Sequence, residues 1–481
     1  MAAAFAVCGG PARKERMAPR QRSNLKTYGV YAMMLGLAAA AYWTVSRAGG
    51  RLTGLPAALP DAAAQPGAAA PNALFHFLLA LASVLALGAL MGRLFRSVGQ
   101  PAVIGEVIAG ILLGPSFLGR VAPDLGAFVL PAAVAPNLGM VAQLGVILYM
   151  FQVGLDLNHA HLKGKGHATV GISHAGILLP FVLGIVLALW LYPRFATSDV
   201  PFGSFALFMG VAMAITAFPV LARILSDQGL HKTGLGAMAL SCAAVDDATA
   251  WCLLALVVGV VQSRLAGALM VFVGLAVFVA VMVWLARPLL LRLARHGAKP
   301  TVMAVVLLGV LCSALATEWI GIHAVFGAFL LGVLIPHDSP LAREFEAKLK
   351  DVVAILLLPA FFAFTGMRTR FDLLQGWQAW GACGLIVLVA TLGKFGGVSL
   401  AAGLSGHSRR DSMALGILMN TRGLVELIVL NMGLDLGVIS PTLFAMMVLM
   451  ALATTLATAP ALRWLTPGVL PAKAKERGPA R

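Results

Sequence analysis

The chain has 481 residues and a formal charge of +16, with 60% hydrophobic and 11% charged residues and a mean hydropathy of +0.91. Soluble domains carry roughly 25% charged residues, so this composition excludes a soluble enzyme and reads as an all-α polytopic membrane protein. The bases stand in short clusters between apolar runs and form no continuous basic face, which excludes nucleic acid as a partner and leaves the lipid bilayer. Cys242, Cys252, Cys312 and Cys383 fall within apolar runs and Cys8 in the N-terminal tail. No metal-ligand spacing links them, and they support neither a disulfide framework nor a zinc site.

A basic tail, 1–27, precedes a first apolar run at 28–46. That run is read either as a retained anchor or as a signal peptide. An Ala/Pro/Gly-rich segment to residue 72 reads as an exposed linker. Thirteen further spans are expected at 73–91, 101–118, 137–155, 168–192, 203–225, 234–261, 266–286, 301–317, 319–336, 351–367, 376–403, 412–432 and 441–464, before a short basic tail, 465–481. Each is close to the ~20 residues that a helix needs to cross a bilayer. With a cytoplasmic N-terminus the alternation puts most bases inside, Arg93, Arg223, Arg292 and Arg409 among them, and leaves few outside, such as Arg120, Arg194 and Arg370. The positive-inside rule therefore favours thirteen helices plus one N-terminal helix, with both termini cytoplasmic.

Val107-Ile-Ala-Gly-Ile-Leu-Leu-Gly114 resembles Val325-Phe-Gly-Ala-Phe-Leu-Leu-Gly332, and each is followed at comparable distance by a helix ending near a glycine, Gly154 or Gly366. Under this topology the two runs point in opposite directions. That predicts inverted five-helix repeats over 101–261 and 319–464, the plan of many secondary transporters, with discontinuous helices at corresponding places. Pro219, in Ile215-Thr-Ala-Phe-Pro219, and the polar Asn420-Thr-Arg-Gly423 are the candidates for two breaks that cross near the midplane. Proline removes a backbone bond, and freed carbonyls such as that of Thr216 can replace part of a cation's hydration shell.

Asp246 and Asp247 stand together inside the run 234–261. One aspartate at mid-membrane costs roughly 2.5 to 3.5 kcal/mol, so a pair is expected to face protein or water and to act there. Neighbours on a helix point about 100° apart and cannot both face one partner. One can meet a fixed positive group while the other faces a cation. Lys394, among Gly393, Gly396 and Gly397, is expected to pair with Asp246. Arg422 and Glu426, spaced i, i+4, are read as a charge pair that neutralises itself. Glu106 stays open between a hydrogen-bonded acid and a gate, and His174 and His323 read as core or interface residues.

The motifs Thr216-Ala-Phe-Pro-Val-Leu-Ala-Arg-Ile-Leu225, Val245-Asp-Asp247, Gly321-Ile-His-Ala-Val-Phe-Gly-Ala-Phe-Leu330 and Asn420-Thr-Arg-Gly-Leu-Val-Glu426 resemble the monovalent cation:proton antiporter-2 family, within the crossed-helix sodium/proton antiporters. The resemblance covers 73–464. It implies a six-helix core domain, a separate dimerisation domain, homodimers in the cell membrane and elevator-like exchange of Na+ or K+ for protons, with no cofactor. It implies Asp247 as the chief cation ligand, Asp246 as the partner of Lys394, and Thr216, Ala217 and Phe218 at the helix crossing. Paired aspartates resemble the electrogenic branch; the Phe-Pro-Val-Leu-Ala-Arg and Asn-Thr-Arg-Gly motifs resemble plant-type exchangers that handle potassium, so the cation stays open. The first span is extra to the family plan, and a C-terminal nucleotide-binding domain is not expected. A sodium-coupled organic-solute symporter of the same fold is the alternative. An intramembrane aspartyl protease lacks its Gly-x-Gly-Asp motif here, and a channel its filter.

Overall fold

All fourteen apolar runs are helical over most of their length in the computed structural model, which describes residues 20–55, 72–156, 166–197, 199–230, 233–262, 265–295, 297 and 299–465. Cys8, the first 19 residues, the linker from 56 to 71 and the tail from 466 lie outside the described residues. In chain order the helices are α1 (Arg20–Gly49), α2 (Ala73–Ser97), α3 (Ala102–Leu113), the short α4 (Leu118–Val121) and α5 (Pro123–Val129), α6 (Ala135–Asp156), α7 (Gly166–Phe195), α8 (Phe202–Ala214), α9 (Phe218–Asp227) and α10 (Gly234–Gln262). Then follow α11 (Leu265–Val281), α12 (Arg287–Arg295), α13 (Pro300–Ile320), α14 (Ala324–Leu334), α15 (Pro340–Val352), α16 (Leu358–Met367), α17 (Gly376–Leu404), α18 (Arg409–Met419), α19 (Leu424–Asp435) and α20 (Pro441–Leu465).

Among the described residues nine of these stretches are long and apolar enough to cross a membrane, or ten when the bent pair α18 and α19 counts as one. The span expected at 101–118 is found at Ala102–Val121, with its helix interrupted after Leu113, whereas the one expected at 319–336 is shorter than read: α13 ends on Gly321, whose φ of 91° is the left-handed conformation that glycine adopts without strain, and α14 starts only at Ala324. The span expected from 351 starts earlier. The amphipathic α15 begins at Pro340 with a Ser339 cap and runs through a π turn at Val353–Leu357 into α16.

Two packed units emerge. In one, here termed the crossing unit, α7 lies between α8 and α17, α10 packs on α7, α8 and α18, and α20 closes over α18 and α19. In the other, termed the frame, α2 packs on α3, α3 on α16, α6 on α14 and α16, and α13 on α14. Within the frame the two similar segments exchange partners. A Cβ on Gly110 of α3 would overlap the Ala363 backbone of α16, and one on Gly366 would meet Val107 and Gly110; Gly332 of α14 and Gly154 of α6 approach each other in the same way. Each first helix therefore packs on the second helix of the other segment, at the glycines that the sequence comparison singled out. The additional α1 lies on α7 and α8 of the crossing unit, with Gly49 against Phe202.

Candidate functional site

The span over 203–225 is broken. α8 ends at Ala214, Ile215 is extended (φ −74°, ψ 141°), and helix resumes only at Phe218. Proline cannot donate to a helix interior, but in a first turn its missing N–H leaves nothing unpaired, so a new helix starting beside Pro219 is the low-energy solution. The second break, 420–423, bends α19 from α18 by 42°. The breaks meet: the Ala217 N–H donates to the Thr421 carbonyl at 3.1 Å, and the Thr216 hydroxyl lies 3.0 Å from the Met419 carbonyl. Approach this close requires Gly423, since a Cβ there would come within 2.6 Å of Val220 Cγ2.

Asp246, on α10, faces this crossing and is fully buried. Lys394 Nζ of α17 donates to it at 2.7 Å, the Thr216 hydroxyl lies at 2.8 Å, and the Ser173 hydroxyl of α7 donates to its other oxygen. The single Thr216 proton serves Asp246 or Met419, one at a time. Lys394 also donates to the Ala214 carbonyl at 2.6 Å. Arg422 donates to the carbonyls of Ala212 at 3.1 Å and Met213 at 2.6 Å, and its Nη1 meets Glu426 Oε1 at 3.1 Å. These three carbonyls close α8, where the chain offers no following turn to bond them. Two cations thus stand in for the missing turn, at the negative end of the helix dipole.

Asp247 is surrounded differently. It is 2% exposed, no side chain donates to either carboxylate oxygen, and the one donor facing it is the backbone N–H of Phe218 at the first break. Asn420 Oδ1 and Glu426 Oε2 are buried without a hydrogen-bond partner. Lys394 and Arg422 supply two positive charges against three carboxyl groups, Asp246, Asp247 and Glu426, all at most 2% exposed. With every group ionised the cluster is one positive charge short of neutrality.

The structure brings together Asp246, Lys394, Thr216 and the backbones of Ala217 and Thr421. It also brings Arg422 to Glu426, but not as two residues on one helical face: Arg422 lies in the unwound stretch before α19 and reaches across to α8. Glu106, His174 and His323 stand apart from the cluster. Glu106 is half-buried beside Gly88 and Gly92, His174 bonds the Val170 carbonyl within its own helix, and His323 accepts from the Val325 N–H at the start of α14. Sequence reasoning missed Ser173 and the α8 carbonyls. Nothing marks one serine in an apolar span as a ligand, and backbone atoms carry no sequence signal.

Residues 81–466 match the family model described as sodium/hydrogen exchanger, transmembrane. Among curated proteins the chain is 44% identical over 396 residues to a Na(+)/H(+) antiporter, NhaS4, of Synechocystis, covering 81% of this chain and 97% of that one. It is 39% identical to cation/H(+) antiporter 20 of Arabidopsis thaliana, of which it spans 47%, about half the length. It is 33% identical to K(+)/H(+) antiporter 1 of Saccharomyces cerevisiae, of which it spans 43%. The sodium proton antiporter MjNhaP1 of Methanocaldococcus jannaschii has the same fold, with a TM-score of 0.54 at 17% identity over 83% of this chain and 98% of that one. The chain belongs to the sodium/hydrogen exchanger family of multi-pass membrane cation/proton antiporters.

Proposed function

We propose that this protein exchanges a monovalent cation, Na+ or K+, for protons at Asp247, and that the exchange moves net charge. The observation that carries the reading is the buried cluster of two bases and three acids, one of which, Asp247, is a carboxylate to which no side chain donates. Leaving such a charge unpaired in a water-poor interior is costly. A proton or a cation at Asp247 removes that cost, and the two exclude one another because they compete for the same oxygens. Exchange then needs only that the loaded cluster face each side in turn. Sliding of the crossing unit against the frame, in the manner of an elevator, would carry it there, with the frame mediating a homodimer in the cell membrane and both termini cytoplasmic. The domain division read from the sequence, 73–464 as the antiporter and the flanking segments as extras, belongs to the same proposal.

The charge count sets the stoichiometry. If only Asp247 titrated, one proton would exchange for one cation and voltage would do nothing. Asp246 is held through Lys394, and parting that pair on one half-cycle frees a second group to take a proton. Two protons against one cation moves one net charge, which couples transport to membrane potential by about 2.3 kcal/mol per 100 mV, enough for roughly a forty-fold gradient. Reversal potentials in proteoliposomes test this. Flux that reverses where two proton gradients and the voltage together balance one cation gradient supports it; flux that vanishes whenever the gradients match one to one, at any voltage, makes the exchanger electroneutral.

A further inference from the structure

We propose that Arg368, Asn431 and Asp435, with Thr365, form a gate that must part before the ion site opens to the face bearing the loops 321–323, 368–375 and 436–440, the outer face by the charge rule. The proposal rests on the exchange reading above and adds the place where the two units latch. Arg368 follows α16, a frame helix, and donates to Asn431 at 3.1 Å and to Asp435 at 2.5 Å, both on α19 of the crossing unit. Deeper on the same boundary Asn431 Nδ2 donates to the Thr365 hydroxyl at 2.8 Å. The contact therefore grades from a fully buried hydrogen bond at Thr365 to an ion pair whose side chains are 25% and 50% exposed. Arg370 lies two residues further on and is already held by Asp372 at 2.7 Å, so Arg368 is the base that reaches across. Arg368, Asn431 and Asp435 also line a cavity of about 30 Å³, together with Gln143 and His323.

The connection to the site is mechanical. α19 is a helix of 12 residues that starts at the second break beside Arg422 and ends at Asp435. At 1.5 Å per residue it is a rod of about 18 Å, so a displacement of the crossing at its first turn is delivered to the latch at its last. The bonds are of the right strength for a gate. Exposed ion pairs bias an equilibrium by about five-fold or less, which delays opening without preventing it.

Two measurements test the gate. With the native cysteines replaced, a Thr365→Cys/Asn431→Cys pair in proteoliposomes is joined by a short bis-methanethiosulfonate linker. Exchange in the untreated protein, lost by tenfold or more on joining and regained with dithiothreitol, is the expected result. Exchange that continues when the pair is joined overturns the gate and leaves the exchange reading standing; no exchange in any form overturns both. In oriented vesicles, Arg368→Gln and Asp435→Asn should each lower the apparent KM for cation at the outer face by about two- to five-fold and raise it at the inner face, because the fraction of molecules open outward rises. The exchanged pair Arg368→Asp/Asp435→Arg should return both values toward wild type. Single variants that leave both faces unchanged, or an exchanged pair no better than its singles, make the contact an ordinary surface ion pair.

Discussion

The two broken helices answer the same backbone problem in different ways. At the first break the orphaned carbonyls of Ala212, Met213 and Ala214 are taken by the side chains of Arg422 and Lys394. At the second break the partners are neutral: the Leu418 carbonyl accepts from the Thr421 N–H and hydroxyl, Met419 lies against the Thr216 hydroxyl, and Thr455 bonds both the N–H and the carbonyl of Arg422. One break is finished with charge and the other with hydroxyls. The difference teaches why the site is one-sided. Cations placed on one helix end require acids beside them, and Asp246 and Glu426 supply these, while Asp247 is the acid left over.

The largest effect expected from this asymmetry is on transport. Asp247→Asn removes the carboxylate that no side chain satisfies while keeping its shape, so cation-driven proton movement should fall by two orders of magnitude or more with the melting midpoint unchanged. Normal exchange by a well-folded Asp247→Asn protein would place the site elsewhere.

Next in size is the loss expected at Lys394. Breaking a buried pair leaves an uncompensated charge and costs roughly 3 to 5 kcal/mol, whereas replacing both partners is often nearly neutral. Lys394→Ala also frees the Ala214 carbonyl. The variant should therefore melt well below wild type, and Asp246→Asn added to it should recover part of the loss but not all. Strictly additive losses in the double-mutant cycle would show that the two residues are not coupled.

Arg422→Gln should cost a comparable amount, roughly 3 to 5 kcal/mol, since it breaks the buried pair with Glu426 and leaves the Ala212 and Met213 carbonyls without their donor. Arg422→Lys should recover little of it, because a point charge cannot span two carbonyls as the guanidinium fork does. Denaturant or thermal titrations of both variants give the comparison. Full recovery by lysine would mean that only charge matters at this end of α8.

How much of this was legible in the sequence follows from what each feature is made of. The helical runs, the paired aspartates, the deep lysine and the two break points each show as an anomaly of composition inside an apolar span, where polar residues are costly enough to stand out. The late start of α14 and the early start of α15 did not show, because helix ends are set by turns such as Gly321 and caps such as Ser339 more than by hydropathy. The role of Arg422 was hidden for another reason. Its spacing from Glu426 fits a helix, and only the three-dimensional break reveals that the arginine lies outside that helix and serves α8, a segment some 200 residues earlier, through backbone atoms.

The smallest effect sharpens the comparison most directly. Thr421→Val keeps the β-branched shape and removes one hydroxyl, which donates to the Leu418 carbonyl at 2.7 Å. That carbonyl retains the Thr421 N–H as a second donor, so no backbone group is left bare. A neutral hydrogen bond with both partners in protein contributes about 1 kcal/mol net. The variant should therefore lose about that much stability and keep its exchange rate within a factor of a few, because no charge near Asp247 has changed. Arg422→Gln alters the charge around the same crossing and should lose both stability and transport. If Thr421→Val proved as damaging to exchange as Arg422→Gln, the finish of the second break would matter as much as the first, and the charge asymmetry would not be what localises the cation.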